Sequence, residues 1–346
     1  MKYCYLGRTG MKVSRLCLGT GNFGSGKSSG GNWGCVGEKE AHKIMDAALE
    51  AGINFFDTAN VYGEVGEGGY TGLAEEIIGR WFAKGGGRRE KVILGTKVER
   101  EMENDPYDGP NKPRNLSLYK IRRHFEGSLR RLQTDHIELY QMHHVDRHTP
   151  WEEQWEAFEG LVKSGKVDYI GSSNFAAWDI LKAQEAARNR HFMGLVNEQH
   201  RYNLLCRTAE LEVLPAAADQ GIGITLWSPL VRGLLGVNMF QLDKNPQSVE
   251  VMNVIEKYRL QLTAFSELCR DLGEEEANVA LAWELHNPAI TAPVIGPGSL
   301  RDLEHMLRAV EIKLDESTLQ RLDEIFPGPG GDAPEAYSGW TELMKK

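Results

Sequence analysis

The sequence has no apolar run that approaches the roughly 20 residues needed to cross a bilayer. Its first seven residues also lack the apolar stretch of a secretory signal peptide. These two absences argue against a membrane-spanning protein and against an exported one. We therefore expect a protein of the cytoplasm with no membrane partner.

Cysteine is scarce, because the 346 residues contain only five, at positions 4, 17, 35, 206 and 269. None of them forms a CxxC pair, which argues against a zinc or dithiol redox site. An odd, sparse count without an export signal is typical of reduced thiols. An excess of positive charge is also lacking, because the formal net charge is −9. A broad nucleic-acid surface would be basic, so we predict no nucleic-acid partner.

Strand-like and helix-like patterns alternate along most of the chain, which is typical of a parallel sheet. The predicted strands are 15–20, 53–57, 92–97, 137–142, 167–172, 195–198, 222–227 and 291–295. The helices after them are 38–50, 73–82, 117–132, 151–163, 178–188, 209–219, 275–286 and 300–308. Repeated strand–helix units of this kind favour an α/β protein with a closed (β/α)₈ barrel, as one domain over 1–346.

The chain is longer than the about 250 residues typical of this barrel. We predict a short hairpin before the first strand. Extra loops are predicted at 99–114 and 231–257, and a tail follows residue 326. Each lies where it can form a lid over a substrate or cofactor at the active-site face.

Reactive side chains end or follow several predicted strands. Asp57 and Lys97 end the second and third strands, Tyr62 follows Asp57 by five residues, and His143 ends the fourth strand. The active site of a (β/α)₈ barrel gathers at these strand ends. An ammonium group lowers the pKa of a nearby phenol, and a histidine can orient a carbonyl oxygen. Each residue alone also fits a structural role, but together they predict protonation of an aldehyde or ketone as hydride arrives.

The segment DTANVYG at 57–63 resembles the aspartate–tyrosine motif of the aldo-keto reductase family, and the similarity covers nearly the whole chain. The resemblance implies that Tyr62 is the general acid/base, Lys97 lowers its pKa, and Asp57 holds the lysine. It implies that His143 orients the carbonyl of a small-molecule substrate. His144 is an adjacent alternative; alternation along a strand places the two on opposite faces, and the resemblance selects His143.

The same resemblance implies NADP(H) as the cofactor, with NAD(H) less favoured. An amide needs both donors and acceptors, and Ser173, Asn174 and Gln199 can supply both to a nicotinamide carboxamide. A turn or helix cap is the structural alternative for the first two. Trp227 stands where relatives often have a stacking tyrosine. The implied cofactor residues are Gly19, Thr20, Asp57, Ser173, Asn174, Gln199, Trp227, Ser228, Pro229, Leu230, Gly296, Ser299 and Arg301.

The eighth strand matches the family less well. Many relatives carry Arg where Gly298 stands, Gln or Arg at Asp302, and Asn at Met306. Ser299 and Arg301 remain as candidates for the 2′-phosphate of NADP(H), at a helix N-terminus that favours anions.

Two phosphate-binding patterns occur in one glycine-rich segment: GxxxxGK[ST] at 21–28 and GxGxxG at 19–24. Each pattern needs a helix that starts at its end. Residues 29–34 are rich in glycine and do not predict one, so a P-loop phosphotransferase acting through Lys27 is a less favoured alternative. His144, Asp146 and His148 alternate as metal ligands, but the predicted chemistry needs no metal and we predict none.

Three further segments, GGGRRE at 85–90, QMHH at 141–144 and ELEVLP at 210–215, are similar to bacterial members of the family. That group includes sugar-nucleotide 2,3-reductases and general-purpose reductases. A regulatory protein is the alternative of a different class, because potassium-channel β subunits share the fold and the four residues. A long N-terminal extension is expected there, whereas this chain begins almost at its first strand. The oligomeric state stays open.

Overall fold

The computed structural model describes residues 1–26, 34–63, 72–99, 102, 116–244 and 249–330. A closed barrel of eight parallel strands occupies its centre, which confirms the predicted (β/α)₈ fold. In their order around the barrel, the strands are β3 (Cys17–Gly19), β6 (Phe55–Asp57), β7 (Ile93–Val98), β8 (Ile137–Met142), β9 (Val167–Ser173), β10 (Leu195–Arg201), β11 (Gly223–Trp227) and β12 (Ile290–Ile295). The barrel closes because β12 pairs with β3.

Two pairs of short strands lie outside the barrel. The predicted N-terminal hairpin is present as β1 (Tyr3–Tyr5) and β2 (Lys12–Ser14). A small parallel pair, β4 (Phe23–Gly24) and β5 (Val36–Gly37), was not predicted.

Helices surround the barrel. They are α1 (Glu38–Glu50), α2 (Leu73–Phe82), α3 (Leu118–Leu132), α4 (Trp151–Lys163), α5 (Ala177–Asn189), α6 (Val213–Gln220), α7 (Val249–Lys257), α8 (Arg259–Leu272), α9 (Glu276–His286), α10 (Leu300–Met306) and α11 (Glu316–Ile325). In α1 the apolar residues recur with helical spacing, so Ala41, Ile44, Met45 and Ala48 are buried on one face. None of the described helices is long and apolar enough to span a membrane.

The hairpin closes the N-terminal end of the barrel. Leu6 and Val13 pack there against Cys17, Phe55 and Leu139, which fill the barrel interior. This end is apolar and fully buried. Polar chemistry is therefore left to the opposite end, where the strands terminate.

The strand register aligns the polar residues at that opposite end. Asp57 at the end of β6 lies beside Gly19 of β3 and Gly95 of β7. Lys97 near the end of β7 lies beside Gln141 of β8. Residues that are 38 or more positions apart in the chain are thereby brought side by side.

The extra segments are described in part. The predicted loop at 231–257 contains short 3₁₀ turns at Leu234–Gly236 and Met239–Lys244, followed by α7. Helices α8 and α11 were not predicted. Most of the predicted loop at 99–114, and the tail beyond residue 330, lie outside the described residues.

Candidate active site

Asp57, Lys97 and Tyr62 form a hydrogen-bonded cluster at the C-terminal end of the barrel. The Lys97 ammonium donates to Asp57 Oδ2 at 2.5 Å and to the Tyr62 phenol oxygen at 3.2 Å. Its third contact is the backbone carbonyl of Thr58 at 3.0 Å. An ammonium group has three donors, so these contacts use all of them. The lysine is thereby fixed between a carboxylate and a phenol.

Lys97 is charged in this setting. Burial of its fully enclosed side chain disfavours the ammonium and by itself lowers the pKa. The neighbouring Asp57 carboxylate and the Tyr62 phenol act in the opposite sense and outweigh burial, so the pKa of Lys97 lies above its ordinary value. A permanent positive charge therefore lies next to the phenol oxygen at neutral pH.

Tyr62 is brought to this lysine by the turn that follows β6. The backbone N–H of Tyr62 donates to the Ala59 carbonyl at 3.1 Å, and that of Asn60 donates to the Lys97 carbonyl at 3.3 Å. Gly63 follows with a φ of +87°, in the left-handed region that favours glycine. The Tyr62 ring lies 4.9 Å from the Lys97 ammonium. The Tyr62 ring is half-buried and packs against the Lys97 ammonium.

His143 lies beside the Tyr62 ring, just after the end of β8. Its ring meets that of Tyr62 edge to face, with ring centroids 5.8 Å apart. The ring of His144 stacks on His143 at 5.1 Å, and both histidines line the same cavity. The expectation that they lie on opposite faces was wrong, because β8 ends at Met142 and strand alternation stops before them.

A cavity of about 640 Å³ opens above these residues. Most of the residues predicted to bind substrate or cofactor line it: Gly19, Asp57, Tyr62, His143, Ser173, Asn174, Gln199, Trp227, Ser228, Pro229, Leu230 and Gly296. Lys97 and Thr20 are fully buried behind this lining. Thr20 supports the site indirectly, since its hydroxyl donates to the Asp57 carbonyl at 3.0 Å.

Three polar side chains meet where β9, β10 and β11 end. The Trp227 indole N–H donates to Asn174 Oδ1 at 2.9 Å, and Asn174 Nδ2 donates to the His143 carbonyl at 3.2 Å. Asn174 has a φ of +62°, a conformation that asparagine tolerates better than most residues. The Ser173 hydroxyl donates to the Gln199 carbonyl at 2.8 Å. This corner offers amide and hydroxyl groups beside an aromatic face, which fits a nicotinamide.

The far end of the cavity is lined by Gly298, Asp302 and Met306 around α10. The two residues predicted there, Ser299 and Arg301, do not line it. The Ser299 hydroxyl instead caps the helix by accepting from the Asp302 N–H at 3.2 Å. The N–H of Leu300, at the start of the helix, donates to the carboxylate of Glu40 at 3.3 Å.

Other lining residues were not among the predicted site residues. His144 was named only as the alternative to His143, and Gly298, Asp302 and Met306 only as departures from the family. No site role was predicted from the sequence for Gly21, Asn22, Cys35, Arg232, Gly233, Gly236, Ala277, Val294 and Ile295. Arg232 is the one arginine or lysine among the lining residues that the structure describes. Its φ of +57° follows a positive φ at Val231. A positive φ is uncommon for a residue as bulky as arginine, and only the structure reveals it. No signal in the sequence therefore indicates Arg232.

The two alternative sites are only partly described. Lys27 and Ser28 of the P-loop pattern lie outside the described residues, and the helix after them, α1, begins at Glu38. In the loop after β8, Asp146 accepts hydrogen bonds from the N–H groups of Leu116, His148 and Thr149. Its carboxylate therefore organises the loop.

The chain is similar to known proteins over nearly all of its length. The model of the family described as Aldo/keto reductase family matches residues 15–326. Uncharacterized oxidoreductase YrpG of Bacillus subtilis (strain 168) is 61% identical, over 98% of this chain and 100% of that protein. Versiconal hemiacetal acetate reductase of Aspergillus parasiticus is 30% identical, over 94% of this chain and 97% of that protein. A probable voltage-gated potassium channel subunit beta of Arabidopsis thaliana is 29% identical, over 97% of this chain and 100% of that protein.

Proposed function

The chain belongs to the aldo/keto reductase family, and on that premise we propose that it reduces an aldehyde or ketone to an alcohol with a nicotinamide cofactor. Family membership makes it an oxidoreductase and confirms the resemblance carried by the 57–63 motif. The observation that carries the proposal is the position of the Lys97 ammonium between Asp57 Oδ2 and the Tyr62 phenol oxygen. Tyr62 and His143 both line the cavity, so a substrate in it can reach them.

Tyr62 is the proposed general acid. The reduced nicotinamide supplies a hydride to the carbonyl carbon when it is bound. As the C=O π bond breaks, the phenol of Tyr62 gives its proton to the carbonyl oxygen and becomes a phenolate. The fully buried Lys97 ammonium stabilises that phenolate across 3.2 Å, because opposite charges attract at this distance. His143, whose ring lies edge to face with that of Tyr62, holds the carbonyl oxygen in place.

The cofactor fits the polar corner formed by Ser173, Asn174 and Gln199. These side chains supply the donors and acceptors that a carboxamide needs, and Trp227 supplies a ring on which nicotinamide can stack. The Trp227 ring is already oriented, because its N–H is bound to Asn174. Gly19, Ser228, Pro229, Leu230 and Gly296 line the rest of the proposed path. Arg232 can face the anionic phosphates of a dinucleotide.

NADP(H) is the proposed form of the cofactor. Arg301 is exposed on the first turn of α10, next in sequence to Asp302 on the cavity wall, and is the proposed partner of the 2′-phosphate. Asp302 acts in the opposite direction, because a carboxylate repels phosphate. The resemblance to NADP(H)-dependent reductases supports a cofactor with a 2′-phosphate. The opposite charges of Arg301 and Asp302 make the choice between NADP(H) and NAD(H) testable.

The proposed substrates are small carbonyl compounds, with keto-sugars and sugar nucleotides included. The bacterial segments at 85–90, 141–144 and 210–215 are similar to a group that includes sugar-nucleotide reductases and general-purpose reductases, so both substrate classes belong in the proposal. The cavity volume accommodates a cofactor end together with a substrate. All five cysteines are free thiols, which agrees with the reducing cytoplasm as the proposed compartment.

The test is oxidation of NADPH and NADH against a panel of aldehydes, ketones and keto-sugars. With the best substrate, Tyr62→Phe is expected to keep cofactor binding, measured by tryptophan fluorescence, and to lose about 10²–10⁴-fold in kcat. Tyr258→Phe is the matched control, because Tyr258 also has a lysine over its ring, at 5.0 Å, but does not line the cavity. Wild-type turnover in Tyr62→Phe would contradict the assignment. Cofactor binding without turnover of any compound would instead favour the regulatory function.

A further inference from the structure

The two oxygens of Asp57 have different partners. Oδ2 accepts from the Lys97 ammonium, whereas Oδ1 accepts from two side-chain amides. Gln141 Nε2 donates to Oδ1 at 3.1 Å, and Gln199 Nε2 donates to it at 2.9 Å. An ionised carboxylate only accepts hydrogen bonds, so both glutamines must turn their NH₂ groups toward it. Gln141 does not line the cavity and is fully buried.

The contact from Gln141 continues as a chain across the barrel interior. The Oε1 atom of Gln141 accepts from Asn197 Nδ2 at 2.9 Å, and the same nitrogen donates to the Thr225 hydroxyl at 3.0 Å. The chain therefore joins β6, β8, β10 and β11. Every residue in it is at most 2% exposed. Asn197 Oδ1 has no partner among the described residues, but the Asn197 amide nitrogen and both polar atoms of Gln141 do. Moving either side chain would leave more buried polar groups without a partner, which favours the observed arrangement.

Gly171 of β9 leaves the space through which the Gln141 side chain passes. A Cβ atom at Gly171 would lie 3.0 Å from Gln141 Cγ and 3.3 Å from its Oε1. It would also lie 3.2 Å from the Asn197 carbonyl oxygen. Any larger residue would push the glutamine, so the backbone of β9 fits a glutamine aimed at Asp57.

We propose that Gln141 is a positioning residue for the reduction, acting through Asp57 and Lys97 on Tyr62. The chain from Thr225 through Asn197 fixes the Gln141 amide, which fixes the rotation of the Asp57 carboxylate. Oδ2 then stays on Lys97, and Lys97 stays within hydrogen-bond distance of the phenol. The inference rests on the proposed function, since it assigns the network to the reactivity of Tyr62.

The first test compares Gln141→Met with wild type in steady-state reduction. Methionine keeps the length of the side chain and removes its donor and acceptor. We expect kcat to fall by roughly 10–100-fold, as for loss of one hydrogen bond to a charged group, with cofactor affinity within about threefold. The alkaline limb of the kcat profile should move to higher pH by about one unit, because Lys97 then stabilises the phenolate less well.

Gln184→Met is the matched control. Gln184 is also a buried glutamine, but its amide binds only the backbone of Leu195, at 2.7 and 3.2 Å, on the outside of the barrel. A merely structural role for Gln141 predicts that the two variants lose stability and leave the pH profile unchanged. Thr225→Val keeps the shape of the side chain, and we expect a smaller change of the same direction from it. That variant keeps the proposal testable if Gln141→Met does not fold.

A second readout needs no turnover. The protein is labelled with carbon-13 at tyrosine Cζ, and the Tyr62 signal is identified by its loss in Tyr62→Phe. Its titration midpoint in the cofactor-free protein should move to higher pH in Gln141→Met and in Thr225→Val, but not in Gln184→Met. An unchanged midpoint in both network variants would overturn the inference. This outcome is distinct from failure of the proposed function, which would show as a wild type that reduces no carbonyl compound.

Discussion

Replacing Lys97 with methionine removes the positive charge next to the Tyr62 phenol. The ammonium lies 3.2 Å from the phenol oxygen. At an effective dielectric constant of about 20, unit charges at that distance interact by about 5 kcal/mol, or nearly 4 pKa units. Tyr62 is half-buried and lines the cavity, so water screens this attraction and the figure is an upper bound. We therefore expect the pKa of Tyr62 to rise by about 1–2 units in Lys97→Met.

The assay is kcat for carbonyl reduction, measured across neutral and alkaline pH. Reduction needs the protonated phenol, so the wild-type rate should fall above the pKa of Tyr62. In Lys97→Met that fall should begin about 1–2 pH units higher, and the plateau should lie at least about 10²-fold lower because the phenol is a weaker acid. Both changes have one cause, so they must appear together.

The control for this variant concerns Asp57. Removing Lys97 alone leaves a buried carboxylate without its cation, which costs about 3–5 kcal/mol of stability. The double variant Asp57→Asn, Lys97→Met removes that charge as well. Its folding should recover while its alkaline limb stays displaced. If the double variant shows the wild-type pH profile, the lysine does not set the reactivity of Tyr62 and the reasoning fails.

Three other predictions concern stability and cofactor choice. Glu284 is fully buried, neither of its carboxyl oxygens accepts a hydrogen bond from the described residues, and burial raises its pKa well above 4.5. The folded state thus keeps a proton that the unfolded state releases, and stability falls as pH rises from 4.5 toward the raised pKa. In urea unfolding, Glu284→Gln should be more stable by about 1 kcal/mol or more at about pH 8, with no advantage near about pH 4; a constant difference would refute this. Gly79→Ala should lower the free energy of unfolding by about 1–3 kcal/mol, because the added Cβ would lie 2.1 Å from the Arg131 carbonyl oxygen. Gly160→Ala is the control: its Cβ would lie 3.7 Å from the nearest atom, so the free energy of unfolding in urea should rise by up to about 1 kcal/mol. In binding titrations, Arg301→Ala should weaken NADPH by about 10–150-fold and NADH little, and Asp302→Asn should strengthen NADPH; equal changes for both cofactors, or a wild type that prefers NADH, would contradict the NADP(H) proposal.

The barrel could be predicted because each strand–helix unit carries its own local signal. Helices α1, α2 and α4 begin and end at the predicted residues, since their apolar faces repeat with helical spacing. The first strand was predicted as 15–20 and is Cys17–Gly19, because Arg15 and Leu16 still belong to the turn after the hairpin. Helices α7, α8 and α11 were not predicted, and none of them directly follows a barrel strand.

Residues at strand ends could be predicted for the same reason. A barrel brings the ends of its parallel strands together whatever their separation in sequence, so Asp57, Lys97 and His143 were bound to converge once the strands were known. Side chains such as Arg232 and Asp302 come from the loops and from α10, and their direction depends on dihedral angles and packing that no local pattern encodes. Ser299 and Arg301 were predicted because they lie near a helix N-terminus. The direction of each residue decides which ones face the cavity there, and those are Gly298 and Asp302.

Gln141 shows how far a local pattern can be interpreted. In the sequence Gln141 is one polar residue near the end of a predicted strand, and the motif QMHH indicated a role for the histidines after it. Its partners come from β6 and β10, 84 and 56 residues away in the chain. A buried polar side chain in a strand must satisfy its hydrogen bonds across the sheet or barrel, and the identity of those partners follows from register alone. A residue proposed to touch the substrate can therefore be recognised from a motif, whereas the residue proposed to position it can be recognised only once the barrel is closed.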